Sequence, residues 1–173
     1  IACEFVGLTV GVSPNIEFVK SSGITINRGI VVDEYLQTSA KDVYALGDCV
    51  ELSNPNLGRR PIEAVWYTGR MMGKTVAQTI CTKPTKYEPG IWFNSAKFFD
   101  IEYQVYGDIP AKTPENITSL YWQHPTENKA IRINYETLPG EVTGFNLMGI
   151  RYRHAVCEKW IADKTKIETV IEN

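Results

Sequence analysis

The spacing of apolar residues changes along this chain, and the change constrains the fold more than any other feature of the sequence. Before Pro84, one segment repeats apolar and small residues with a helical period: Ile62, Val65, Trp66, Gly69, Gly73, Val76, Ala77 and Ile80. The two glycines in this set would let a neighbouring backbone approach closely, at about 1 kcal/mol each in helix propensity. From Trp92 onward the period is two, that of a strand. We therefore expect two packing units that meet at Thr82-Lys83-Pro84, the second beginning near Tyr87.

The second unit contains four segments with the strand period: Phe98–Val105, Leu120–Gln123, Ala130–Tyr135 and Val142–Met148. In the third segment apolar residues alternate with polar ones, as in a half-buried antiparallel strand. This alternation assigns Arg132 and Asn134 to the solvent side. Pro139-Gly140 fits the centre of a type II turn before the last strand.

A stripe of apolar residues follows the last strand. Tyr152, Val156 and Trp160 recur every four residues, which predicts a helix that ends near Lys164. An antiparallel sheet with one covering helix is an α+β module. We predict that fold class for the second unit.

The first unit begins with an apolar, strand-like run over Cys3–Val12, without a preceding methionine. Natural amino termini are usually polar and frayed, so we expect the chain to begin inside a longer protein. Two strands are predicted next, at Ile30–Val32 and Val43–Leu46, and a polar loop follows over 54–58. Pro61 then marks the beginning of the helix, since its missing N–H is no loss there.

Charge and composition exclude several classes of function. Eighteen Lys and Arg against 20 Asp and Glu give a net charge of -2 without a basic block, so no nucleic-acid partner is expected. The longest apolar runs are too short to cross a bilayer, so we expect a soluble chain with no membrane partner.

The chain has four cysteines, none of which forms a Cys-x-x-Cys pair with another: Cys3, Cys49, Cys81 and Cys157. We predict no metal ligands, and we interpret the cysteines as small buried residues in a reducing cytoplasm.

Three motifs follow one another in the first unit: Gly29-Ile30-Val31-Val32-Asp33, then Thr38, then Val43 to Cys49 with Gly47-Asp48 inside it. Together they resemble the second FAD-binding motif of the flavoprotein oxidoreductases that have two dinucleotide-binding domains. The resemblance implies FAD as cofactor and NAD(P)H as electron donor. It also implies that Gly47 lets the backbone approach FAD. Asp48 would then accept a hydrogen bond from a ribityl hydroxyl.

The predicted helix extends the resemblance. In the family, the N-terminus of this helix faces the flavin pyrimidine ring, which implies cofactor contacts for Glu63, Ala64, Val65 and Trp66. Unpaired N–H groups and the positive end of the helix dipole would stabilise negative charge on the reduced flavin. Trp66 has a second interpretation, as a core aromatic on the apolar face of the helix.

The resemblance assigns three regions to the chain. Residues 1–15 match the end of the NAD(P)H domain and the crossover, and residues 16–84 match the C-terminal segment of an α/β FAD-binding domain. Residues 85–173 match the C-terminal, dimerisation-like interface domain, which opens with Trp92-Phe93-Asn94-Ser95. The similarity is closest to the rubredoxin- and ferredoxin-reductase-like or NADH-oxidase-like branch. Asn94 stands where some members have an aromatic residue.

Neither histidine is assigned to a site. His124-Pro125-Thr126-Glu127 is similar to the catalytic-base motif of the glutathione-reductase branch, but it precedes two strands and a helix. We therefore interpret it as a hairpin loop. His154 lies between Arg151 and Arg153 and is expected on a solvated face. No catalytic side chain is predicted in this chain.

The sequence contains no Gly-x-Gly-x-x-Gly loop to hold dinucleotide phosphates. We expect the complete protein to supply two such loops upstream and to pass electrons from NAD(P)H through FAD to an acceptor. This fragment alone is expected to be inactive. Expected partners are a second copy of the chain or a redox protein acceptor. One alternative is a non-enzymatic dimerisation or docking module derived from the same fold. Another is a disulfide reductase, whose redox cysteine would lie upstream.

Overall fold

The computed structural model describes residues 1–55, 59–81 and 83–173, which divide into two compact units, Ile1–Glu88 and Pro89–Asn173. A short 3-10 helix, Glu17–Val19, precedes the other elements. These are β1 Ile30–Val32, β2 Val50–Leu52, α1 Trp66–Cys81, β3 Phe93–Phe98, β4 Ile101–Gly107, β5 Ile117–Gln123, β6 Ala130–Glu136, β7 Val142–Met148, α2 His154–Ala162 and α3 Ile167–Ile171. Within the described ranges, no helix is long and apolar enough to cross a bilayer.

The first unit contains a small parallel sheet of β1 and β2, in which Ile30 pairs with Val50 and Val32 with Leu52. The prediction of β1 is confirmed. Side chains from both strands, from α1 and from the segments that join them form one core: Val32, Leu36, Val50, Met72, Val76 and Tyr87.

The strand predicted at Val43–Leu46 does not form. The backbone there returns to the preceding turn, because Thr38 N donates to Val43 O and Ala45 N donates to Leu36 O. Only an isolated bridge joins Gln37 and Tyr44. The strand that pairs with β1 is β2, which follows Gly47-Asp48 instead of preceding it.

The strand-like run over Cys3–Val12 has no regular secondary structure, and its residues are exposed. A strand is stable only when its backbone groups pair with a neighbour. Within the described part of the chain, no strand pairs with this run. The prediction of a strand there is wrong for this chain.

Helix α1 begins at Trp66, later than the expected start at Pro61. Its first i to i−4 hydrogen bond joins Gly69 N to Val65 O, whereas Val65 N donates to Glu63 O and keeps the preceding segment irregular. The buried face also differs from the predicted one. Thr68, Met72 and Val76 are buried, while Trp66 and Ile80 are exposed.

The boundary between the units lies a few residues later than the change of period indicates. Tyr87 packs in the core of the first unit and is only 4% exposed. Its N–H donates to Glu34 O over 2.7 Å, which holds the end of the unit against the turn after β1.

Two predicted features lie partly outside the described residues, namely the polar loop over 54–58 and Thr82.

The second unit is a five-stranded antiparallel sheet with strand order β3-β4-β7-β6-β5. Residues of the sheet and of both helices share its core: Tyr106, Ile133, Val142, Phe145, Leu147, Cys157, Ile167 and Val170. The predicted α+β class is confirmed. Gly140, in the predicted turn before β7, has a φ of 88°, a conformation that glycine adopts readily.

The strand predicted at Phe98–Val105 spans the end of one strand, β3, and most of the next, β4. The apolar run at Phe98–Val105 contains a turn at Phe99-Asp100, where Phe99 has a φ of 51°. Strands β3 and β4 pair across this turn, with Phe98 opposite Ile101. Both Phe98 and Phe99 are exposed at the tip of the hairpin.

Asn134 is fully buried, although the alternation in β6 assigns it to solvent. Its Oδ1 accepts a hydrogen bond from Ser119 Oγ over 2.6 Å, and its Nδ2 donates to Asp108 O over 3.4 Å. The segment after β4 therefore covers this part of the second face of the sheet. Arg132 donates to Pro110 O and Thr113 Oγ1 in the same segment.

The helix predicted to end near Lys164 is α2, and a second helix, α3, follows it without having been predicted. Helix α2 ends at Ala162, and a turn with Lys164 at a φ of 53° separates it from α3. Cys157 is the buried residue of α2, and Trp160 packs at the edge of the core. Tyr152 lies before the helix, with its ring centroid 5.7 Å from that of Trp160.

Candidate functional site

The Gly47-Asp48 turn is an open feature of the first unit. Gly47 has a φ of 85°, and open space surrounds the position that a Cβ would take. Its N–H donates to Met72 Sδ over 3.4 Å, which ties the turn to α1. The Asp48 side chain is exposed and makes no hydrogen bond or ion pair with the described part of the chain. Its carboxylate is therefore available to an external donor.

The glycines of α1 lie beside this turn. A Cβ at Gly69 would be 3.5 Å from Gly47 Cα, and one at Gly73 would be 3.8 Å from Leu46 Cδ1. Both are ordinary van der Waals distances. The helix thus presents its glycine face to the Gly47 backbone and the Leu46 side chain, with room for a methyl group at either position.

Thr38, which lies between the first and the last of the three predicted motifs, has a local role. Its Oγ1 donates to Val43 O over 3.0 Å and accepts from Ala40 N over 3.2 Å. These bonds close the turn that leads toward Gly47. Thr38 therefore shapes the approach to the turn.

Glu63, predicted to contact the cofactor, is engaged inside the unit. Arg59 Nε donates to Glu63 Oε1 over 2.6 Å, and Arg59 Nη2 pairs with Oε2. Thr68 Oγ1 donates to the same Oε2 over 3.2 Å. Because the carboxylate is satisfied by these donors and nearly buried, it is not available to a ligand in this conformation. Through these bonds with Arg59 and Thr68, Glu63 holds the segment before α1 against the helix.

Trp66 lies at the first position of α1 and is 67% exposed. Within the described first unit its ring contacts Tyr67 edge-on at 5.2 Å, and the Arg70 guanidinium lies 5.4 Å from the ring centroid. The interpretation of Trp66 as a core aromatic is therefore wrong. Ala64 is also exposed, and Val65 is half-buried.

Tyr87 is a residue near this site that sequence reasoning missed. Its hydroxyl is buried, and no described atom hydrogen-bonds with it. Burial raises the pKa of Tyr87 to about 12, while the charges of Arg59 and Glu63 act on it in opposite directions. No motif marks Tyr87, and the i, i+4 spacing of Arg59 and Glu63 predicts no ion pair, because that rule applies to helices and both residues precede α1.

The two histidines lie apart from these residues in sequence, and both are in the second unit. His124 is in the hairpin loop between β5 and β6, where its Nδ1 accepts from Glu127 N over 3.0 Å. The interpretation of this motif as a loop is confirmed. His154 is only partly solvated, because its ring packs edge-on against Phe93 at 4.4 Å and Tyr106 at 5.1 Å.

The cysteines do not share one environment. Cys157 is buried, and burial raises the pKa of its thiol to about 12. Cys3 and Cys81 are exposed, so the interpretation of all four as buried residues is wrong for these two. Cys49 is partly buried beside the core of the first unit.

The first unit therefore combines a glycine turn, a free carboxylate and the beginning of a helix with an exposed aromatic ring. This arrangement can bind a polyol through Asp48 and a flat ring system near Trp66. Residues 1–78 match the sequence model of a family described as "Pyridine nucleotide-disulphide oxidoreductase". The match covers 78 of the 173 residues of this chain, and the resemblance found in the sequence is confirmed. Its relatives are NAD(P)H-dependent flavoprotein reductases that use FAD.

Curated relatives match over short segments. The assimilatory nitrate reductase electron transfer subunit of Bacillus subtilis (strain 168) is 36% identical over 90 residues, which are 52% of this chain and 11% of that protein. The nitric oxide reductase FlRd-NAD(+) reductase of Escherichia coli (strain K12 / DH10B) is 47% identical over 53 residues, or 31% of this chain and 14% of that protein. The matched segments thus span a small part of these relatives.

Solved structures share the fold over most of this chain. NADH:rubredoxin oxidoreductase from Clostridium acetobutylicum has a TM-score of 0.62 and 23% identity over 95% of this chain and 42% of its own. The ferredoxin reductase of the CYP199A2 system from Rhodopseudomonas palustris has a TM-score of 0.65 and 21% identity over 81% of this chain and 33% of its own. At these identities the likeness shows the fold alone.

Proposed function

We propose that this chain forms the part of an FAD-dependent NAD(P)H oxidoreductase that holds the ribityl chain and the pyrimidine edge of FAD. The observation that carries the proposal is the exposed, unpaired Asp48 carboxylate, which follows the left-handed Gly47 and lies on a turn tied to α1. The match of residues 1–78 to the family model supports the same function.

The residues of the turn and of α1 have distinct roles in this proposal. Asp48 accepts a hydrogen bond from a ribityl hydroxyl, and Gly47 leaves the space for that approach. The N-terminus of α1 carries the positive end of its dipole and favours negative charge beside it. Trp66 offers an exposed ring at the same end of the helix. When bound, FAD supplies the transfer of electrons from NAD(P)H to an acceptor.

Glu63 acts indirectly in this proposal. Its carboxylate is bound by Arg59 and Thr68, so it positions Ala64 and Val65 ahead of the helix and does not touch the cofactor. Gly47, Asp48, Ala64, Val65 and Trp66 remain the residues that we propose to face FAD.

A redox protein is the acceptor that we propose, and NADH and NADPH both remain candidate donors. The support is the likeness in fold to NADH:rubredoxin oxidoreductase and to putidaredoxin reductase in its covalent complex with putidaredoxin. A second copy of the chain is a further proposed partner. We also propose a cytoplasmic location, because all four cysteines are free thiols.

The test compares the 173-residue chain with the complete product of its gene. The complete product should purify with bound flavin and oxidise NAD(P)H, since its upstream part would supply the glycine-rich loops for the phosphates. The chain alone should be colourless and inactive. Its few contacts must overcome the cost of immobilising a long cofactor, which is several kcal/mol or more.

Titration of FAD into the chain, followed by flavin fluorescence, separates the outcomes. Saturable binding at micromolar concentration or tighter would show that these residues carry more of the affinity than we propose. A complete product that neither binds flavin nor oxidises NAD(P)H would favour the docking-module alternative.

A further inference from the structure

The second unit has an open cavity of about 410 Å³ beside the beginning of α2. Six residues line it: Arg151, Tyr152, Arg153, Val156, Trp160 and Asn173. Sites for small ligands commonly have volumes of this order. The six lining side chains include two guanidinium groups and two aromatic rings, and none of the six is acidic. This composition suits a ligand that is both flat and negatively charged.

The segment that carries the two arginines is fixed on strand β4. Arg151 Nε donates to Glu102 Oε1 and Oε2, each over 3.0 Å. Tyr152 N donates to Gln104 Oε1 over 3.0 Å, and Gly149 N donates to Glu102 O over 2.7 Å. Because these bonds hold the segment before α2 in place, little of this wall has to be ordered when a ligand binds.

Both guanidinium groups keep hydrogen-bond donors for a ligand. Glu102 accepts from Nε of Arg151, and the Nη groups of Arg151 form no hydrogen bond with the described residues. The Arg151 side chain is 77% exposed, so these groups can be reached from solvent. The side chain of Arg153 forms no hydrogen bond or ion pair with the described part of the chain. An anion in the cavity would supply acceptors to both arginines.

The beginning of α2 adds to this preference for an anion. Arg153 is the N-cap of the helix and makes no side-chain capping bond. The N–H groups of His154 and Ala155 have no acceptor among the described residues, whereas Val156 N and Cys157 N both donate to Arg153 O. The positive end of a short helix contributes less than a charged side chain. It supports the site that the two arginines define.

Tyr152 and Trp160 supply an aromatic wall. Their ring centroids are 5.7 Å apart, with an angle of 39° between the ring planes. Trp160 is held from the core side by Phe145, at a centroid distance of 5.9 Å. Tyr152 is 37% exposed, and its Oη donates to Asn173 O over 3.5 Å. Aromatic side chains of this kind stack with nucleobases of any sequence, since every base has a π-face.

We propose that this cavity binds a nucleoside monophosphate. Its base lies against Tyr152 and Trp160, and its phosphate accepts hydrogen bonds from the free guanidinium donors of Arg151 and Arg153. A phosphate monoester suits two arginines better than a carboxylate does, because it has three acceptor oxygens and carries about two negative charges at neutral pH. The site lies wholly in the second unit and does not depend on the proposed FAD function.

Isothermal titration calorimetry of the 173-residue chain with AMP, adenosine and ribose 5-phosphate tests the proposal. AMP should bind most tightly, because it alone carries both the base and the phosphate. Added sodium chloride should weaken the binding of AMP, since salt screens the attraction between the phosphate and exposed arginines. The binding of adenosine should hardly change with salt.

A matched pair of variants identifies the phosphate contact. Arg153→Gln should weaken AMP binding by about 10-fold or more and leave adenosine binding unchanged. Lys159→Gln is the control, because it removes the same charge from the same helix. Lys159 does not line the cavity, and it pairs with Asp163. This control should leave AMP binding unchanged.

A third variant identifies the base contact. Tyr152→Leu should weaken the binding of AMP and of adenosine alike, by about 5-fold or more, because the base loses a stacking partner. It should leave the binding of ribose 5-phosphate unchanged. Circular dichroism would confirm that all three variants are folded.

Absence of saturable AMP binding at millimolar concentration would overturn the proposal. So would an Arg153→Gln variant that binds AMP as the wild type does. Equal losses in Arg153→Gln and Lys159→Gln would reduce the effect to general charge attraction and contradict a defined site. Benzoate that binds as tightly as AMP would overturn the assignment to nucleotides, because a carboxylate on a small ring would then satisfy the cavity equally well.

Discussion

Arg59 and Glu63 form a two-pronged ion pair in the segment that leads into α1, and each side chain is only 7% exposed. The pair lies four residues apart in sequence but outside any helix, so its geometry is set by the tertiary fold. Thr68 from the first turns of α1 donates to the same carboxylate. The ion pair thus joins the irregular segment to the helix that follows it.

Removing one partner of this pair should destabilise the first unit strongly. Glu63→Gln leaves the Arg59 guanidinium nearly buried without its counter-charge, and such losses cost about 3–5 kcal/mol. Urea unfolding of the purified chain would measure the change. The matched control is Glu34→Gln, which breaks the exposed Lys86–Glu34 pair and should leave the midpoint unchanged. Equal effects of the two variants would contradict this account.

Two glycines near the candidate site should respond to alanine in opposite directions. Gly73→Ala should stabilise the chain by about 1 kcal/mol, because its methyl group would make an ordinary contact with Leu46 in a helix interior. Gly47→Ala should destabilise it by about 1–2 kcal/mol, since a φ of 85° disfavours any residue with a Cβ. Thermal unfolding measures both. A lower melting temperature for Gly73→Ala would show that the helix needs more room there than the distance indicates.

Asp48→Asn should weaken FAD retention in the complete protein that we propose. A hydrogen bond to a charged group contributes about 1.5–3 kcal/mol, which corresponds to about 10- to 150-fold in affinity. Equilibrium dialysis of the flavin would measure the loss. Asp42→Asn is the control, because Asp42 is an exposed carboxylate of the same segment, and asparagine tolerates its φ of 62°. Unchanged retention in Asp48→Asn would remove Asp48 from the site.

Stability should fall at alkaline pH because of two buried groups. Burial raises the pKa of Cys157 from 9.0 to about 12 and that of Tyr87 from 10.0 to about 12. The folded chain keeps these protons while the unfolded chain releases them. The stabilising contribution is therefore complete below about pH 9 and is lost as the pH rises toward 12. Urea unfolding at a series of pH values from about 8 to about 11 would measure this loss. The free energy of unfolding should decline less with pH in Tyr87→Phe and in Cys157→Ala than in the wild type.

Strands β6 and β7 could be predicted within a residue because apolar and polar residues alternate over most of β6 and over the second half of β7. The hairpin of β3 and β4 could not. Phe98 and Phe99 continue the apolar run through the turn, and Phe99 adopts a positive φ without a glycine, asparagine or proline to mark it. Hydrophobic spacing alone does not distinguish such a turn from a continuous strand.

The candidate site could be predicted in part for similar reasons. The Gly47-Asp48 turn was identified from its motif, and the positive φ of Gly47 agrees with the choice of glycine. Pro61 predicts a start that is too early for α1, because proline is common at the first position of helices. The competing bonds from Arg59 and Thr68 to Glu63 depend on the tertiary structure, and no local rule contains them.

The buried amide of Asn134 has a consequence for the alignment of β5. Its short bond with Ser119 Oγ holds the two strands in a single register, and Thr118 and Thr137 share a further hydroxyl contact at 2.9 Å. A slip by one residue would turn every side chain of β5 to the opposite face. It would also place Leu120 where Asn134 requires a polar partner. The Ser119–Asn134 pair therefore fixes the register of the whole edge strand β5. Substitutions elsewhere in β5 can then accumulate without changing which of its backbone groups face the solvent.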